Sequence, residues 1–128
     1  MKKILVVDDD TFVRRMLSLW CAAQGYETLE ADNGLAALDL ACRYRPDLVI
    51  SDVAMPGMGG YALLSALRAM PDTEDIPVLM ISGQPRPACE RVKPDGFLQK
   101  PFQVSNLKAL IQVSLGLTPQ TGRESNRL

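Results

Sequence analysis

The sequence predicts an α/β fold built on a parallel sheet, and three observations predict it. Short apolar runs of strand length, at residues 4–7, 48–50 and 76–81, alternate with stretches of helical spacing, the pattern of parallel strands joined by crossover helices. The runs are continuous rather than alternating, as strands covered on both faces require. Each run also stops abruptly at polar residues: Asp8-Asp9-Asp10 after the first, Asp52 after the second, Ser82 after the third. In open α/β sheets the carboxyl ends of the strands are where ligands bind.

Taken in order, residues 11–24 follow the apolar 4–7 run with helical spacing. Val13, Met16, Leu17, Trp20 and Cys21 share a face, Arg14 and Arg15 lie off it, and Gly25 closes the helix. Residues 26–30 read as a second strand and Asn33-Gly34 as a turn. Leu35, Ala36, Leu38, Leu40 and Ala41 then form a short helix that stops before Pro46. After Asp52 the patterning gives way to Met55-Pro56-Gly57 and Gly59-Gly60, a sharp turn into a third helix over residues 61–70 that carries Leu63, Leu64 and Leu67. The fourth strand tolerates Pro77 near its start and ends at Ser82. Pro85, Pro87 and Pro94 follow, leaving room for at most about two helical turns between Pro87 and Pro94. Residues 96–99 are a short fifth strand ending at Lys100-Pro101. Helical spacing resumes over residues 102–115 through Val104, Leu107, Leu110, Ile111 and Leu115. One domain, residues 1–116, is expected, followed by a disordered polar tail over residues 117–128.

The 128 residues are one domain's worth of chain. A net charge of -1 with no basic stripe argues against direct contact with nucleic acid. No apolar run approaches the ~18 residues of a membrane span, and Met1-Lys2-Lys3 leads straight into a strand rather than a signal sequence. A cytoplasmic protein without membrane contact is expected. The absence of histidine excludes Ser-His-Asp catalysis and phosphotransfer through a histidine of this chain. Cys21, Cys42 and Cys89 are odd in number and widely spaced, as free thiols rather than metal ligands would be.

Five strands in this pattern fit the flavodoxin-like doubly wound order 2-1-3-4-5, with a shortened or irregular fourth helix, and that order sets the tips of strands 1 and 3 side by side. Asp8 and Asp9 then meet Asp52, with Ser82 and Lys100 on the next two tips. Three convergent carboxylates repel and raise at least one pKa unless cations compensate. Lys100 supplies one charge, and the remainder suits Mg2+, which binds through one or two carboxylates, waters and a substrate phosphate. Such a site is equipped for nucleophilic phosphoryl chemistry. Asp52, alone on its tip, is the nucleophile; Asp8 and Asp9 hold metal; Ser82 donates to the acquired phosphoryl group. Asp10 is read as the N-cap of the first helix.

In this combination the chain resembles a receiver domain of two-component response regulators, of the stand-alone chemotaxis type, from Lys3 to about Leu115. The resemblance rests on Ile-Leu-Val-Val-Asp8-Asp9 with Arg14-Arg15 downstream and on Pro46-Asp47-Leu-Val-Ile-Ser-Asp52 followed by Met55-Pro56-Gly57-Met58-Gly59-Gly60. Ser82 after an apolar strand and Lys100-Pro101 complete it. It implies that Asp52 accepts a phosphoryl group from a histidine kinase or a histidine phosphotransfer protein in a Mg2+-dependent reaction. Asp9 would ligate the metal directly and Asp8 largely through water, with Asp52 and the Ala54 carbonyl completing the shell. Lys100 would contact the phosphoryl group, with Pro101 following through a cis bond. Ser82 and Phe97 occupy the switch positions that relay phosphorylation to an unnamed downstream protein. The chain would be no enzyme beyond its own phosphorylation and dephosphorylation.

Phe97 lacks a hydroxyl, so a switch here must work by packing. Pro85, Pro87 and Pro94 shorten or unravel a helix that forms part of the family's usual output face. Ala54 and Gln84 stand where the family tunes attack by water on the acyl phosphate. Two other readings are open. One is an interaction module that works without phosphorylation through residues 83–94. The other is a haloacid-dehalogenase-type phosphatase on Asp8-x-Asp10, which has Phe12 where Thr or Val is wanted.

Overall fold

The computed structural model describes residues 1–117. Its elements run β1 (Lys3–Val7), α1 (Thr11–Ala23), β2 (Glu27–Ala31), α2 (Gly34–Tyr44), β3 (Leu48–Asp52), α3 (Gly60–Arg68), β4 (Val78–Ser82), β5 (Gly96–Gln99) and α4 (Val104–Ser114). The five strands pair in parallel in the order β2-β1-β3-β4-β5. Every residue of β3 and β4 is buried, the property that their unbroken apolar runs require. Of the tail expected over residues 117–128, Leu117 donates its N–H to the Gln112 carbonyl at 2.7 Å, and residues 118–128 lie outside the described residues.

Alternation along the strands divides the core in two. Leu5, Val7, Val49, Val78 and Met80 face Ala37 and Ala41 of α2 and Leu63, Leu64 and Leu67 of α3. Ile4, Val6, Leu48, Ile50, Leu79 and Ile81 face Cys21 of α1 and Leu107 and Ile111 of α4. The sheet is thus covered on both sides, and its two ends are left to polar residues.

Caps fix where the helices begin and end. Asp10 is the N-cap of α1, its carboxylate accepting from the amides of Phe12 at 2.9 Å and Val13 at 3.2 Å. Asn33 caps α2 by accepting from Ala36 N at 2.8 Å. Gly25, at φ +95°, takes the left-handed turn beyond α1. It lets Gly25 N reach the Ala22 carbonyl at 3.0 Å and Tyr26 N reach that of Cys21 at 3.2 Å, the double closure of a Schellman motif.

Where a shortened or irregular fourth helix was expected, the structure has none: residues 83–94 carry no regular element between β4 and β5. Pro85, Pro87 and Pro94 each remove an amide donor and bias the preceding residue away from helical angles, which breaks the span into pieces too short to nucleate a helix. β4 begins at Val78 rather than Ile76 because Pro77 has no N–H to enter the ladder.

The β3–α3 connection packs backbone on backbone. Gly60 N donates to the Val53 carbonyl at 2.9 Å, and a Cβ at Gly60 would stand 2.5 Å from the Asp52 carbonyl oxygen and 3.0 Å from Met80 Sδ. Gly60→Ala must therefore push α3 off the tip of β3. A loss of about 1–3 kcal/mol is expected, read as a lower urea midpoint. An unchanged midpoint would show that this close approach is not a packing constraint.

Candidate functional site

The C-terminal ends of β1, β3, β4 and β5 converge on one pocket. Val7 is level with Ser51, so Asp8 and Asp9, the next residues, come beside Asp52 at the end of β3. Asp8 is 3% exposed and Asp52 9% exposed, whereas Asp9 is open to solvent. One oxygen from each of Asp8, Asp9 and Asp52 lies within 4.8 Å of the other two. Lys100 reaches in from the end of β5, its Nζ 3.2 Å from Asp52 Oδ1 and 3.8 Å from Asp8 Oδ2.

The backbone around these groups is tied down. Lys100 N donates to the Ser82 carbonyl at 2.7 Å, and the Lys100-Pro101 peptide is cis. Asp8 N donates to the Ala31 carbonyl at 3.2 Å, and Asp8 Oδ1 accepts from Asp10 N at 2.9 Å. Ser51 Oγ donates to the Asp52 carbonyl at 2.9 Å. Buried Ser82 accepts at Oγ from Gln84 N at 3.0 Å. Its hydroxyl proton remains available to a further acceptor.

Burial pushes the Asp8 carboxyl above its ordinary value. The charges of Asp52 and Asp9 push the same way, and only the Asp10 amide and Lys100 oppose them. Three carboxylates against one ammonium leave two negative charges uncompensated in a small volume. An all-oxygen donor set with that surplus suits a hard divalent cation.

The remaining residues singled out in the sequence fall around this centre. Ala54 lies two residues beyond Asp52 in an exposed part of the β3–α3 loop. Phe97 is the Cα partner of Met80 and packs against the α2/α3 side of the core. By the period-two rule Ser82 shares a face with Met80, so Ser82 and Phe97 stand on neighbouring strands of one face. The Phe97 ring carries the Arg86 guanidinium 5.8 Å from its centroid. Asp10, the second acid of the phosphatase-like spacing, is occupied in capping α1.

Sequence spacing put Arg14 merely off the apolar face of α1. It is a buttress: Nη1 donates to the Asp8 carbonyl at 2.9 Å and Nε to Glu30 at 3.1 Å. The signal for it is the strand order, which sets the β2 end, with Glu30, against the β1 end and its acids.

This fold with this acid pocket defines a receiver-type signalling domain. The chain belongs to the response regulator receiver domain family of two-component systems, which it matches over residues 4–112. Response regulator MprA of Mycobacterium sp. (strain KMS) is 37% identical over 98% of this chain and 56% of its own length. The chain spans between 25% and 56% of the length of the curated relatives it matches. Among solved structures, the chemotaxis response regulator CheY4 of Vibrio cholerae is 35% identical with a TM-score of 0.81, over 89% of this chain and 98% of that one. The receiver domain of the sensor histidine kinase PA1611 of Pseudomonas aeruginosa PAO1, with a magnesium ion in its active-site cleft, shares the fold at 23% identity and a TM-score of 0.83, over 90% of this chain and 98% of that one.

Asp8 yields a pH prediction. Because its folded pKa is raised above the ordinary 3.8, the native state holds this proton over a window in which the unfolded state has lost it. Stability therefore falls as pH rises through that window. In buffer containing a chelator, Asp8→Asn, which keeps an acceptor for Asp10 N, is expected to raise the urea midpoint at neutral pH. The gain should vanish below pH 3.8, where both states hold the proton. A variant no more stable than wild type at pH 7 would contradict the stated cost of burying this charge.

Proposed function

We propose that the chain is a phosphoacceptor, taking a phosphoryl group from a phosphohistidine of a histidine kinase or histidine phosphotransfer protein onto Asp52. The observation that carries this reading is Lys100 Nζ at 3.2 Å from Asp52 Oδ1 beside two further carboxylates in contact range. Family membership supports it as well.

The donor set fits Mg2+, which Asp8, Asp9, Asp52 and the Ala54 carbonyl would hold. When bound, the metal supplies charge neutralisation for the carboxylates and the phosphoryl oxygens. The chain's own groups do the rest. An Asp52 oxygen forms the bond to phosphorus as the P–N bond to the donor histidine breaks and its electron pair leaves with the imidazole. Lys100 holds positive charge against the equatorial oxygens. Ser82 turns its free hydroxyl proton to the new phosphoryl group, and Phe97 follows by packing. This moves the surface that a downstream protein reads. The donor histidine lies outside these 128 residues, which contain none. Three free cysteines fit a cytoplasmic setting.

Intact-mass measurement after incubation with acetyl phosphate tests the reading. Wild type with Mg2+ is expected to gain one phosphoryl group; wild type in chelator and Asp52→Asn with Mg2+ are expected to gain none. An adduct that persists in Asp52→Asn would move the acceptor elsewhere. Absence of any adduct, with beryllofluoride also failing to bind, would overturn phosphorylation as the function of this pocket.

A further inference from the structure

Among the described residues, 84–94 have no backbone-to-backbone hydrogen bonds, either among themselves or to the rest of the fold. Their position is set by side chains. Glu90, whose side chain is 5% exposed, is the hub: it accepts from the Tyr61 hydroxyl on α3 and from Arg86 through three contacts of 3.0–3.1 Å. Arg86 in turn lies over the Phe97 ring of β5. The Arg86 bond, and then that of Tyr61, hold the Glu90 carboxyl below its usual range. Burial and the Glu90 contact push the Tyr61 hydroxyl up to about 12. The underside of the segment is not filled. A cleft of about 390 Å³ separates it from α3, lined by Tyr61, Ala62, Ser65, Pro87, Cys89 and Val92. A segment without a backbone ladder and with a void beneath it belongs to the least stable parts of a fold. It is the part that a small displacement can switch.

The first residues of this segment touch β4 and β5. The segment starts at the Gln84 amide held by Ser82 Oγ, and Arg86 rests on Phe97. We propose that Tyr61, Glu90 and Arg86 form a latch that holds residues 84–92 closed while Asp52 is unmodified and opens when Ser82 and Phe97 shift. This rests on reading Asp52 as the phosphoacceptor. The latch takes over from the absent helix: a salt-bridged carboxylate between α3 and β5 replaces a helix as the element with two states. Arg86 is half-exposed, so its ion pair alone adds little stability, but a charge-assisted hub with three donors biases a segment whose other anchors are the Gln84 amide on Ser82 and Val92 against the core.

Limited trypsinolysis reads the latch directly. Arg86 and Lys93 precede prolines, so Arg91–Val92 is the bond in this segment that trypsin can cut, and exposed, loosely held chain is cut first. Tyr61→Phe and Arg86→Met each remove one partner of Glu90 and leave the residues flanking that bond unchanged. In unmodified protein, each variant is expected to be cut at Arg91–Val92 about fivefold faster than wild type, the scale of one ordinary net hydrogen bond. Arg43→Met, which breaks an unrelated surface pair with Asp39, should match wild type. Wild type carrying the phosphoryl group, verified by intact mass, is expected to be cut faster by a similar factor. Cleavage of both variants at the wild-type rate would overturn the latch. An adduct on wild type with unchanged cleavage would overturn its coupling to the pocket and leave phosphorylation standing. Failure to form any adduct, with beryllofluoride also failing to bind, would overturn the phosphoacceptor reading and the coupling together.

Discussion

The parallel pairing of β1 with β3, Val7 level with Ser51, forces the residues just beyond β1 to lie next to the last residue of β3. Those residues are Asp8, Asp9 and Asp52. Like charges placed this way resist being brought together, and burial of Asp8 makes the cost larger. The sheet can hold them there because their neighbours are fixed by backbone: Asp8 between the Ala31 carbonyl and the Arg14 guanidinium, Lys100 by its own amide on the Ser82 carbonyl. The apolar layers on either side supply the stability that this end of the molecule lacks.

The two ends of the sheet use the same residue type in opposite ways. At the amino ends, Asp47 accepts from Lys3 N at 2.8 Å, and Asp95 accepts from Val78 N at 2.8 Å while pairing with Arg68 at 2.7 Å. Those carboxylates are satisfied and structural. At the carboxyl ends, Asp9 and Asp52 accept no backbone amide among the described hydrogen bonds, and Lys100 is the cation in contact with the cluster. Unmet acceptor capacity, rather than acidity as such, distinguishes the functional end.

Much of this was legible in the sequence because strand cores and strand ends leave separate marks. The apolar runs fixed the strands, their abrupt polar ends marked the pocket, and the spacing of strands and helices led to the order that joins Asp8 and Asp9 to Asp52. Helix faces were less legible. In α1, Met16 was expected to face inward but is 53% exposed, while Ser18 is buried. Phe12, Met16 and Leu19 make the outer face apolar too, so periodicity had no contrast to work with. In α2 the inward positions are Ala37 and Ala41, and Leu35 is 67% exposed, because small residues let the helix approach the sheet. The Arg14 buttress and the Tyr61–Glu90–Arg86 cluster left no local pattern, since their partners meet only in the folded chain.

The prolines of residues 83–94 change the kind of element that lies beside the pocket. A helix in that place would carry its own ladder of hydrogen bonds and move as a body. A proline-broken segment has no such ladder, so the constraints on it are side-chain contacts, some within the segment and some to other elements. Those contacts are unevenly distributed: one end is the Ser82 hydroxyl, the middle is Glu90 between Tyr61 and Arg86, and Arg86 also covers Phe97. A shift of one residue on β4 or β5 is therefore felt along the whole segment without rotation of a rigid helix. Loss of the helix leaves Ser82, at the end of β4, as a direct anchor of the segment through the Gln84 amide.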